Sequence, residues 1–125
     1  MASLFPPDEP DAVYFSRSDL FHAFGTFSRH SIFLDDHEWP SVEHYYQAMK
    51  FQDPMLRGEI RDAPHPRLCG KIAGRHKRYV RRDWKSVKRT YMTRGVYVKC
   101  LVHPDVSEAL LATGEERVLE TSQYD

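Results

Sequence analysis

The densest chemistry in this chain lies in the stretch WPSVEHYYQAMKF, residues 39–51. Pro40 and Ser41 are helix-start residues, and Ser41 is a good N-cap. Val42, Tyr45, Tyr46 and Met49 follow at i, i+3, i+4 and i+7, which is one apolar helical face. Glu43, Gln47 and Lys50 fall at i, i+4 and i+7 beside it. A carboxylate, an amide and an ammonium are therefore expected along one side of a single helix. Glu43 falls in the first turn, where the helix dipole favours negative charge. Two readings of the stripe stand open: a reactive carboxylate with its partners, or a charged face that only solubilises the helix.

Other residues narrow the chemistry. Nine basic side chains and one acidic one, Asp83, lie between Lys71 and Arg89; six acidic ones and one basic one, Arg117, lie from His103 to Asp125. That asymmetry permits a phosphate-rich ligand, and equally a solvated helix face. Trp39 and Trp84 are candidate stacking platforms, and equally candidate core residues. Together the set suits a ribose-phosphate ligand: aromatics stack on a base, cations hold phosphate, and a carboxylate handles charge at a sugar carbon. No G-x-S-x-G elbow, G-x-G-x-x-G loop or Walker A loop is present. Cys69 and Cys100 sit among apolar residues and read as buried free thiols, which suits a reducing cytosol. None of the seven histidines forms a helical pair around a Glu or a zinc-type spacing, so no metal site is expected.

Positioning these residues requires a small set of elements. The chain is 125 residues with 41% hydrophobic and 29% charged composition, which is one globular domain without a membrane helix. Residues 1–12 read as a flexible, proline-rich lead-in with no signal-peptide pattern, and the expected location is cytoplasmic. Val13-Tyr14-Phe15 and Ser31-Ile32-Phe33-Leu34 read as short strands, with Asp35-Asp36 as a hairpin turn before Glu38-Trp39. Leu20 to Ser28 reads as loop. After the helix at Ser41, a second is expected from Pro54 and a third over Pro66 to about Arg75. A long fourth starts near Asp83 as N-cap, with Trp84, Val87, Tyr91, Val98 and Leu101 on one face. A fifth covers Pro104 to Ala112, closed by Gly114. Gly95 interrupts the fourth, which calls for a packing reason, and Val118-Leu119 is a last strand candidate. The expected class is α+β: compact, mostly helical, about five helices and a small β-sheet.

At this point the chain resembles a known family. WPSVEHYYQAMKF is similar to the signature of the NADAR (NAD- and ADP-ribose-associated, YbiA-like) family. FSRHSIFLDD, KIAGR, DWKSVKRTYM, VKCLVHPDV, LLATGEERVLE and the terminal SQYD agree with it in order and spacing, over about residues 13–125. The resemblance implies an N-glycosidase that hydrolyses a ribose C1′–N bond to an exocyclic amine. The substrates it implies are ribosylaminopyrimidine phosphates of the riboflavin pathway, or ADP-ribosylated guanine in nucleic acid. It implies no cofactor and no metal, only water.

Residue by residue, the resemblance implies Glu43 as the carboxylate acting at C1′, and Lys50 as a Schiff-base or phosphate-binding lysine. Asp125 would orient a water or the ribose hydroxyls. Trp84 would wall the pocket, Gly74-Arg75 match a family Gly-Arg pair, and Glu120 matches an acidic position. Gln47 and Trp39 belong to the signature helix and its approach. Thr26 and Phe27 lie at the family's Ser-Asn-Phe triplet, which reads Gly25-Thr26-Phe27 here, and Ser28 follows it as a further candidate substrate contact. Asp36 stands where a Gly is usual, and the family's Trp-Gly segment after the final Asp is absent. Three readings follow: a glycosidase on a small ribosylamino metabolite, a glycosidase removing ADP-ribose from guanine in nucleic acid, and a non-catalytic nucleotide- or ADP-ribose-binding module.

Overall fold

The computed structural model describes residues 12–17, 19, 22–114, 116 and 118–120. The lead-in expected over 1–12 therefore lies, apart from Ala12, outside the described residues, as does Asp125. The chain order is β1 (Val13–Phe15), β2 (Ile32–Leu34), β3 (His37–Trp39), α1 (Val42–Ala48), α2 (Pro54–Arg61), α3 (Pro66–Arg75), a 3-10 turn (Lys77–Tyr79), α4 (Trp84–Val102), α5 (Pro104–Ala112) and β4 (Val118–Glu120).

The five helices and small sheet are as expected, and among the described residues the strands form two separate pairs. β1 pairs parallel with β4, Val13 opposite Val118, so the two ends of the fold meet. β2 and β3 form an antiparallel hairpin, Ile32 opposite Trp39. Its two-residue turn is Asp35-Asp36, with φ of 54° and 63°. Positive φ at both central residues is the geometry that matches strand twist, and Asp tolerates it better than most residues.

α1 is the hub. The Ser41 side chain accepts from the His44 N–H, and the seven helical residues are all buried. α2, α3 and α4 all pack against it. α2 starts at Asp53, whose carboxylate accepts from the Met55 N–H at 2.8 Å. α3 starts at His65, whose ring accepts from the Arg67 N–H at 3.1 Å. Both helices place Pro at the first position, where its missing N–H costs nothing. α4 crosses α1 at Gly95: a Cβ there would lie 3.0 Å from Val42 Cγ1 and 3.3 Å from Tyr45 Cδ2. That close approach is the packing reason the sequence called for. Gly114, at φ +60°, terminates α5 as expected.

Four local expectations fail in whole or in part. α1 ends at Ala48, so Lys50 lies in the turn beyond it instead of two turns along one helical face. Asp83 stands at the N-cap position of α4 as expected, but its side chain makes no cap hydrogen bond; Arg81 donates to both its carboxylate oxygens, at 2.6 and 3.0 Å. Leu101 is 65% exposed and off the packed face, because the α1 contact at Gly95 sets that face instead. Cys69 is buried, but Cys100 is only half-buried.

Candidate functional site

The Glu43 carboxylate is buried and enclosed by donors. Arg17 Nη2 donates to both its oxygens, at 2.7 and 2.8 Å. The Thr26 hydroxyl donates to Oε1 at 2.7 Å, and Gln47 Nε2 donates to Oε2 at 2.8 Å. These three donors fix the carboxylate in orientation as well as place. The stripe of polar residues on α1 is therefore not a solvated face. Glu43 is 2% exposed, His44 1% and Gln47 5%.

The loop before the hairpin brings Thr26 to this position. The Glu43 N–H donates to the Thr26 carbonyl at 3.0 Å while the Thr26 hydroxyl returns to the Glu43 side chain. Gly25 makes the loop possible: a Cβ there would meet the Ser16 and Asp19 carbonyls at 2.8 and 2.9 Å. Lys99, buried on α4, holds the loop from behind. Its ammonium donates to the Gly25 carbonyl at 2.9 Å and to Ser28 Oγ at 2.6 Å. Burial pushes the Lys99 ammonium down to about 8 from its ordinary 10.5. Its charge therefore costs stability below about pH 8, and that cost is relieved as pH rises toward 10.5.

Gln47 carries a buried acceptor beside Glu43. Its Nε2 is committed to Glu43, which fixes the amide's orientation, since turning it would set Oε1 against a carboxylate oxygen. Oε1 is then buried with no hydrogen-bond partner among the described residues. Buried acceptors of this kind are ordinarily satisfied by a bound water or a ligand.

An aromatic and cationic belt borders this centre. The Arg17 guanidinium lies 5.2 Å from the centre of the Tyr46 ring. Tyr46 leans on Trp84 at 5.1 Å, Trp84 stacks on Tyr91 at 6.3 Å, and Lys50 Nζ lies 6.0 Å from the Trp84 ring. The Lys50 carbonyl accepts from the Arg81 N–H at 2.8 Å, which ties the turn after α1 to the start of α4. Two cavities share Met92 as a wall. One, of about 200 Å³, is mostly apolar, with Phe15, Phe24 and Val96 beside Arg17, Thr26 and Lys99. The other, of about 350 Å³, is lined by Tyr46, Lys88 and Arg89. A cavity of that size is within the range of small-molecule sites, and two cations on its wall suit an anionic group.

The structure thus gathers Glu43, Gln47 and Thr26 directly, and sets Trp84 and Lys50 against the same belt. Others stand apart. Trp39 is 1% exposed: its Nε1 donates to the Leu34 carbonyl at 3.0 Å and its ring packs on Tyr45. That makes it a core residue that closes the hairpin on α1, not a stacking platform. The Ser28 hydroxyl is occupied by Lys99 and His30. Phe27 is half-buried in a separate surface cleft near Pro40 and His65. Gly74 and Arg75 end α3 on exposed surface, and a Cβ at Gly74 would touch nothing within 4 Å, so no close approach explains that glycine. Glu120 lies in β4 by its backbone.

Two residues escaped the sequence reading. Arg17 carries no local signal, since its partner is 26 positions away. Lys99 did leave one: it falls one turn after Gly95, on the face of α4 that the glycine marks as closely packed. Cysteine chemistry finds no support at Cys69, where burial pushes the thiol up to about 12.

Comparison with known proteins adds five findings. The model of the NADAR domain matches residues 6–125. The N-glycosidase YbiA of Escherichia coli is 32% identical over 112 residues, covering 90% of this chain and 70% of that protein. The NMR structure of YbiA superimposes with a TM-score of 0.78 over 92% of this chain and 70% of that one. An N-glycosidase of Nostoc punctiforme is 39% identical, covering 84% of this chain and 69% of its own. The chloroplastic riboflavin biosynthesis protein PYRR of Zea mays is 35% identical over 95% of this chain, which spans 22% of that protein.

Proposed function

The chain belongs to the NADAR domain family and is an N-glycosidase, and from that premise we propose that its substrate carries a ribose C1′ bonded to an exocyclic amine of a pyrimidinone-like ring. The observation that carries this reading is the buried Glu43 carboxylate, held by Arg17, Thr26 and Gln47 beside an unpartnered Gln47 carbonyl. Breaking the C1′–N bond builds positive charge on the sugar. A carboxylate fixed in advance stabilises that charge without reorganising, and can accept the proton of an attacking water. Gln47 Oε1 offers an acceptor to a ribose hydroxyl. Trp84 walls the ring side, and Lys50 either adds to the ring-opened C1′ as a Schiff base or holds phosphate. Lys88 and Arg89 extend the anion-binding side. Asp125, Glu120 and Arg75 are proposed as further substrate contacts on the family pattern alone.

The small metabolite, a ribosylaminopyrimidine phosphate, is the first reading, supported by the riboflavin-related relative. The second, ADP-ribosyl guanine in nucleic acid, draws on the exposed basic surface of Lys71, Lys77, Arg78, Arg82 and Lys85. The deciding assay offers a ribosylaminopyrimidine phosphate and a guanine-ADP-ribosylated oligonucleotide to the wild type and to Glu43→Gln. Turnover of one substrate, reduced about 10²–10⁴-fold in a folded Glu43→Gln, is the expected result. Turnover of neither, with binding retained, would favour a non-catalytic nucleotide- or ADP-ribose-binding module instead.

A further inference from the structure

His30, His103 and Asp105 converge at a place remote in sequence and outside the Glu43 centre. Each offers a ligand atom within 4.8 Å of the other two. His30 comes from the loop before β2, while His103 and Asp105 flank Pro104 at the start of α5. His30 Nε2 lies 2.6 Å from Asp105 Oδ2, across 75 positions of sequence. The two imidazole rings meet edge to face, at 80° and 4.9 Å between centres.

The remaining ring nitrogens are already held by the protein. His30 Nδ1 is 2.8 Å from Ser28 Oγ. His103 Nε2 donates to the Ser31 carbonyl. That leaves His30 Nε2 and His103 Nδ1 as the nitrogens available to a metal, each with its opposite nitrogen anchored. This is the second-layer support that histidine ligands use to fix ring orientation and tautomer. Pro104 adds preorganisation, because its fixed φ restrains the backbone between the other two residues. His30 is mostly buried, whereas the Asp105 side chain is 64% exposed, so an ion has a path in.

We propose that His30, His103 and Asp105 form a binding site for a divalent transition metal of the zinc type. Two imidazoles and one carboxylate are borderline ligands that suit zinc, cobalt or nickel rather than magnesium or calcium. Ligand distances of about 2.0–2.1 Å in a tetrahedron put neighbouring ligand atoms about 3.3 Å apart. To admit the ion, the His30–Asp105 contact opens by about 0.7 Å while ligand atoms now up to 4.8 Å apart draw closer. Binding moves the imidazole proton of His30 from Nε2 to Nδ1, where Ser28 Oγ turns from donor to acceptor. Three protein ligands leave a fourth position for water. The ion clamps α5 to the loop that also carries Thr26, and so secures one wall of the Glu43 centre. The sequence concealed this set because the residues share no helix and no motif spacing.

The test titrates the metal-free full chain with Zn2+ by calorimetry, and with Co2+ by visible absorption. One saturable equivalent is expected, with tetrahedral cobalt bands and a higher melting temperature. In NMR, the His30 and His103 imidazole signals shift together in the unmutated protein. Asp105→Asn keeps a hydrogen-bonding group at an exposed position, and it is expected to weaken binding at least about tenfold, as is His30→Gln. His37→Gln, at a distant histidine, leaves affinity unchanged. Absence of saturable binding overturns the proposal. So does an affinity indifferent to Asp105→Asn and His30→Gln, or a titration that shifts other histidines and leaves these two unmoved.

Discussion

Glu43 and His44 are adjacent on α1, both buried, and set to opposite tasks. Glu43 receives donors from three side chains, two of which, Arg17 and Thr26, also line the mostly apolar cavity. Removing Arg17 would leave a buried carboxylate without its counter-charge, so the pair holds the structure together here. His44 points the other way. Its Nε2 donates to the Ala63 carbonyl at 2.9 Å and its Nδ1 accepts from the Ser41 hydroxyl at 2.7 Å, which is the neutral ring with both nitrogens used. Burial lowers its proton affinity below the ordinary 6.5. The unfolded chain therefore binds a proton at His44 that the folded chain resists. Stability from this group is present above about pH 6.5 and is lost as pH falls below it, by up to about 1.4 kcal/mol per pH unit until the folded ring titrates. Urea unfolding at about pH 7.5 and about pH 5.5 checks it: the wild type loses more stability between the two than His44→Asn does.

Between elements, the decisive contact is α4 against α1. Gly95→Ala gains about 1 kcal/mol of helix propensity. It must also push back Val42, a stiff β-branched residue in the core, and overpacking of that kind costs about 1–3 kcal/mol. A net loss of stability is expected. Pairing the change with Val42→Ala should recover part of it, and denaturation of the four members of that cycle measures the coupling. This contact also shows what the sequence could and could not convey. Periodicity and punctuation placed all five helices, because Pro at a first turn, Gly past a last turn and i, i+3, i+4 spacing are local statements. The same local reading assigned Leu101 to the buried face and a capping side chain to Asp83, since it had no knowledge of where α1 crosses α4 or that Arg81 claims Asp83. At the site, Glu43 was legible as a helix-borne carboxylate and Gln47 as its neighbour. Their burial was not, because it arises from α2, α3 and α4 packing on all sides of a helix whose own pattern looks amphipathic. Trp39 shows the same limit: the sequence left it open as platform or core, and the fold of the hairpin onto α1 makes it core.

Across the whole molecule, the fold closes on itself through β1 and β4, and the buried Glu43 carboxylate sits on α1, the shortest α-helix among the described residues. Among the described residues no helix is long and apolar enough to cross a membrane. α1 has seven residues, well below the roughly 12–15 that an isolated helix needs to persist in water. It has no solvent-facing side from which to fray. Its amide protons should therefore exchange with deuterium only when the entire chain opens, at rates that track the global unfolding free energy. Exposed turns such as Asp35-Asp36 should exchange far sooner. Exchange followed residue by residue at rising urea would show α1 merging with the slowest class. The carboxylate would then have no half-assembled state in the native ensemble: the same cooperative event that makes the protein fold would also make it competent.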